Sequence, residues 1–179
     1  MSRIILIFGI AAGLIVAVPM CLLVANAEPG SAATSQITGY LIMLLALSLI
    51  FLGVKRLRDR ELGGAIRFMP AFLAGLGISA VAGVIYVIGW EITLAVTDFA
   101  FIDSYSNAAV EAARAKGGSA ADIAAVTVQM DEFRRQYANP LFRLPVTFIE
   151  IFPVGLLISL ISAALLRNSR FLPARAPAP

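Results

Sequence analysis

The sequence has no histidine and a single cysteine, Cys21. A disulfide framework is therefore excluded, and the Cys/His ligand sets of most protein-bound metals cannot be assembled. Charge is scarce as well: Asp, Glu, Lys and Arg make up 14% of the chain, against about a quarter in a soluble domain. There is no nucleophile–base pair at a recognisable spacing and no glycine-rich loop of the kind that cradles phosphate. The chain therefore reads as not an enzyme, with no cofactor. The net charge of +3 is split among separate segments, so it is no nucleic-acid footprint.

What the chain does have is apolar length. Hydrophobic residues make up 60% of it, and the mean hydropathy is +0.90. Four apolar runs, residues 4–24, 37–54, 68–97 and 144–166, reach the ~18–20 residues needed to cross hydrocarbon. One soluble core could not hide so many apolar helices. The expected fold is all-α: a polytopic four-transmembrane-helix bundle in one domain, residues 1–167. An extracytoplasmic helical hairpin is expected over 98–138, between the third and fourth spans. Residues 168–179, rich in Ala and Pro, read as a disordered tail.

Charge asymmetry orients the chain. With both termini inside, the inner segments carry nine basic residues: Arg3, Lys55, Arg56, Arg58, Arg60, Arg67, Arg167, Arg170 and Arg175. Only Asp59 and Glu61 oppose them there. The positive-inside rule then puts both termini and the 55–67 loop in the cytoplasm. The sequence around Ala25 and Ala27 resembles a signal-peptidase site. The apolar run before it exceeds the ~7–15 residues of a signal core, so the first helix is expected to be retained.

Small residues recur every fourth position along three of the runs. Gly9, Gly13 and Ala17 mark the first; Ala71, Gly75, Ser79 and Gly83 the third; Gly155, Ser159 and Ala163 the fourth. Such stripes let helix backbones approach closely inside a membrane. The bland reading is that they hold only the chain's own helices together. Val87 and Glu91 continue the third stripe, which points Glu91 into the helices, near Trp90 and the outer boundary. Glu150 is expected at about the same level but on a different face of its helix. Arg143 is the candidate charge partner for either acid. Lys55, Arg56, Arg58, Arg60 and Arg67 are candidate contacts for anionic lipid headgroups, with a simple orientation cluster as the plainer alternative.

In the hairpin region Gly117 and Gly118 should end one helix, and Ser119 with Asp122 should cap the next. The spacing of Ile123, Val126, Met130, Phe133 and Tyr137 predicts a one-sided helix folded back over the bundle.

Two stretches carry a family likeness: 47–67 (LSLIFLGVKRLRDRELGGAIR), and 139–167 with NPLF followed by TFIEIFPVGLLISLISA. They resemble the bacterial membrane family catalogued as domain of unknown function 4199, over residues 4–167. The resemblance implies four transmembrane helices with the first one kept. It implies no activity, because none is established for that family. The functional expectation is thus a non-enzymatic membrane subunit, embedded in the bilayer, that packs with itself or with another membrane protein. The alternative is a small transporter or a proton- or cation-binding protein using Glu91 and Glu150.

Overall fold

The computed structural model describes residues 1–26 and 36–174. Glu28 with most of its expected polar turn, and Arg175 in the tail, lie outside the described residues. All regular structure in the described residues is helical: α1 (Ser2–Asn26), α2 (Gln36–Leu47), α3 (Leu49–Arg56), α4 (Phe68–Val96), α5 (Ala100–Ala115), α6 (Ala120–Tyr137) and α7 (Pro140–Leu166), with a π turn over Leu57–Glu61. Four helical stretches are long and apolar enough to cross a membrane: Ser2–Asn26, Ile37–Glu61, Phe68–Val96 and Pro140–Leu166. This is a multi-pass membrane protein. Large side chains such as Leu6, Leu45, Leu73, Ile92 and Ile149 stand exposed on its outside, as lipid-facing positions do and a soluble surface does not.

The helix α4 is central. It packs along α1 on one side and α7 on another, with α3 also against it. The main core joins Ala12 and Val16 of α1, Leu47 of α2, Ile50 of α3, Ile78 and Ala82 of α4, and Ile151 and Ala163 of α7. The second span is interrupted at Ser48, which gives its hydroxyl to the Leu45 carbonyl at 2.6 Å. That span also runs further than the apolar pattern implied. The expected loop from Lys55 is instead helix and π turn as far as Glu61, because Leu57 and Arg58 are buried there.

At the opposite end, α4 stops at a reversal for which no glycine is used. Asp98 and Phe99 take φ values of 46° and 60°. The Phe99 N–H closes back onto the Leu94 carbonyl at 2.9 Å, the longer bond of a Schellman cap. The same bond, Gly118 N–H to Ala113 carbonyl at 3.1 Å, ends α5, with Gly117 at φ 74°. Ser119 and Asp122 form a reciprocal capping box that starts α6. At the start of α7 the Asn139 side chain accepts the Leu141 N–H at 3.0 Å, and Pro140 follows at the first helical position.

The hairpin α5–α6 packs mainly on itself. It does not lie back over the spanning helices. It meets them at its base, in a second small core of Trp90, Leu94, Ile102 and Tyr137. The face carrying Ile123, Val126, Met130 and Phe133 is the less exposed side of α6. The tail also departs from expectation. Residues 168–174 are ordered against the basic end, where Phe171 meets Phe51 edge to face, with ring centroids 6.4 Å apart.

Candidate functional site

The small-residue stripes are seams. A Cβ built on Gly9 would stand 2.5 Å from the Val81 Cβ, and one on Gly13 would stand 2.5 Å from the Ile85 Cβ. One turn or so further, Ala17 faces Gly89 at the same separation. On the other side of α4, a Cβ on Gly75 would come within 2.9 Å of Ser159, and one on Gly155 within 2.5 Å of the Ser79 hydroxyl. Gly83 gives its space to the Phe148 ring, 2.6 Å from where a Cβ would be. Ser79 and Ser159 lie 3.3 Å apart across the α4–α7 seam, and Ser159 also bonds the Gly155 carbonyl at 2.7 Å. These contacts are internal, so they account for the stripes without any partner.

Glu91 and Arg143 meet at the hairpin end. The Arg143 Nε donates to Glu91 Oε1 at 2.7 Å, and its Nη2 donates to Oε2 at 2.6 Å. The third guanidinium nitrogen donates to the Tyr137 carbonyl at 2.9 Å. Arg143 is buried, with Phe99 under its charge at 5.2 Å. This two-pronged geometry is the strong form of an Arg–carboxylate bond. It ties α4, the end of α6 and the start of α7 into one knot. Above it, Trp90 donates its indole N–H to the Tyr137 hydroxyl at 2.7 Å. Burial pushes the Tyr137 hydroxyl's pKa up, so it accepts that bond as a neutral phenol.

Glu150 has a different setting. At ~1.5 Å per residue Glu91 stands about 35 Å from the Phe68 end of α4, and Glu150 about 24 Å from the Leu166 end of α7. Hydrocarbon is ~30 Å thick, so with the Phe68 and Leu166 ends at one boundary, Glu91 would reach the other and Glu150 would fall short of it. The two acids are therefore not at one level, which corrects the sequence expectation. The reason is that Arg143, two helical turns before Glu150, is the residue that sits level with Glu91. Glu150 accepts a bond from the Tyr86 hydroxyl at 3.3 Å. Tyr86 is buried in the core, yet Glu150 is exposed on the outside of the chain.

The basic end splits the five cations expected to meet lipid. Arg58 is fully buried, and this overturns its reading as a headgroup contact. It donates to Asp59 at 2.7 Å and to the carbonyls of Phe171 and Leu172 at 2.9 and 2.5 Å. The guanidinium thus straps the tail to the π turn. Lys55 pairs with Asp59 one turn on. Arg56, Arg60 and Arg67 are exposed.

Among the described residues no group of His, Cys, Asp and Glu is placed to hold a metal. Sequence reasoning missed Tyr86, Tyr137 and the strap made by Arg58. For Tyr86 there was a signal, since a phenol inside an apolar run demands a partner. For Arg58 there was none, because five neighbouring cations look alike until the chain is folded.

No curated protein and no solved structure matches the chain. The family described as protein of unknown function DUF4199 matches residues 6–168. That match spans all four apolar helices and the hairpin, so the chain belongs to that family.

Proposed function

We propose that this protein is a non-enzymatic subunit of a bacterial inner membrane, with both termini cytoplasmic, whose outer surface along α7 is covered by a second copy of itself or by another membrane protein. One observation carries the reading: Glu150 is exposed on the outside of the chain, and helix length puts that position in the apolar layer. A carboxylate facing acyl chains is costly, and the Tyr86 bond leaves one of its oxygens without a donor among the described residues. A donor from a neighbouring helix would supply the missing partner. Beside it, Val146, Ile149 and Leu157 present an apolar face for the same neighbour.

The exposed acid also supports the second reading, a proton- or cation-binding protein. Glu91 contributes little to that one, because Arg143 already neutralises it.

The test places a photo-crosslinking residue at Ile149 or Leu157 in the intact membrane. Crosslinks to a second copy or to one defined membrane protein are expected, and Glu150→Leu should reduce them. Crosslinks to lipid alone, with a strict monomer in mild detergent, would refute the proposal. Monomeric protein whose proton or cation uptake is abolished by Glu150→Gln would favour the alternative.

A further inference from the structure

An open groove of about 730 Å³ lies at the basic end. Arg56 and Arg60 line it, and Lys55 and Asp59 stand beside them. Phe8 and Leu52 form an apolar part of its wall, and the strapped tail closes another side through Leu172 and Pro173. Charge within it is lopsided. Asp59 is occupied by Lys55 and Arg58. Arg56 and Arg60 have no hydrogen-bond or ion-pair partner among the described residues, and both are exposed. One helical turn apart, the two arginines line one space.

We propose that this groove binds the headgroup of an anionic phospholipid. Each guanidinium offers a planar fork of donors that matches phosphate oxygens two at a time. Phe8 of α1 and Leu52 of α3 continue from the groove into the spanning helices, which gives the glycerol and upper acyl chain an apolar track. The helix end places the phosphate at the membrane surface, where a lipid already stands. A soluble anion would satisfy the arginines but make no contact with Phe8 and Leu52. The tail is part of the site: Arg58, itself out of reach of the ligand, positions the Leu172–Pro173 wall by holding the carbonyls of Phe171 and Leu172.

The full chain, purified in mild detergent, is titrated with phosphatidylglycerol and with phosphatidylcholine, and retention is read by native mass spectrometry. Phosphatidylglycerol should be retained preferentially. Loss of both arginines in R56Q/R60Q should weaken it by roughly thirtyfold, on the basis of about one lipid-facing charge each. R56K/R60K keeps the charge but not the forks, and should recover only part of the affinity. R167Q/R170Q removes the same charge outside the groove and should change little. Helix content by circular dichroism checks that the exposed substitutions leave the fold intact. Equal losses in R56Q/R60Q and R167Q/R170Q would overturn the proposal in favour of diffuse surface attraction. Competition by millimolar inorganic phosphate would overturn it in favour of a free-anion site. Equal retention of the two lipids would also overturn it.

Discussion

Removing Arg143 tests the knot at the hairpin end. In Arg143→Met the Glu91 carboxylate loses both of its short bonds, and the Tyr137 carbonyl loses its donor. Stranding one member of a fully buried ion pair costs about 3–5 kcal/mol, and a surface pair is worth at most about 1 kcal/mol. The side chains here are 5% and 32% exposed, so the pair lies between those limits. The loss should be about 2–4 kcal/mol, including about 1 kcal/mol for the freed carbonyl. Glu91→Leu alone should cost a similar amount, because it strands the more deeply buried cation. The double variant strands neither charge, so its loss should fall well below the sum of the two single losses. Unfolding of the full chain in mixed micelles, followed by circular dichroism, gives all four corners of the cycle. A coupling energy below about 0.5 kcal/mol would refute the reasoning. It would mean that the two groups act independently and that the hairpin base is held by Trp90, Leu94, Ile102 and Tyr137 alone.

Gly13→Leu should destabilise the chain by at least about 1–3 kcal/mol, because its Cβ would meet the Ile85 Cβ at 2.5 Å and the Ala82 carbonyl at 3.0 Å; the same unfolding assay reads it. Ser119→Ala should speed amide exchange in the first turn of α6, where the hydroxyl accepts the Asp122 N–H. Hydrogen bonds to Ser119 hold the Asp122 carboxyl below its ordinary range, and Arg135 does the same first of all for Glu132. A carboxyl lowered in the folded state stabilises above the ordinary carboxylate range and ceases to as pH falls below it. Hairpin helix content should therefore decline only in that acid range, with no change between pH 6 and 8. Arg58→Ala should release the tail and raise tryptic cleavage after Arg170 by roughly tenfold, with the spanning helices unaffected.

The spans were legible because a bilayer demands long apolar helices and little else produces them. The capping box and the glycine stop after α5 were legible because they are local. The reach of the second span was not. Its last turns contain Lys55, Arg56, Arg58 and Asp59, which read as loop in one dimension. In the fold they lie on a helix that buries Leu57 and Arg58. The level of Glu150 was missed for a related reason: the register between α4 and α7 shows only in contacts between residues far apart in the chain, such as Arg143–Glu91 and Ser79–Ser159. The place of the hairpin was misjudged because an amphipathic face says that a helix packs, not what it packs on. The face of α6 is used against α5.

The seam between α1 and α4 also sets a schedule. The glycine edge of α1 is complete once residue 17 has been made, but its counterpart on α4 ends at Gly89. At ~5–20 residues per second, translation needs roughly 4–14 s to cover that gap. Through that interval the first helix waits in the lipid with its notch open, and α7 is made only after that notch has been filled.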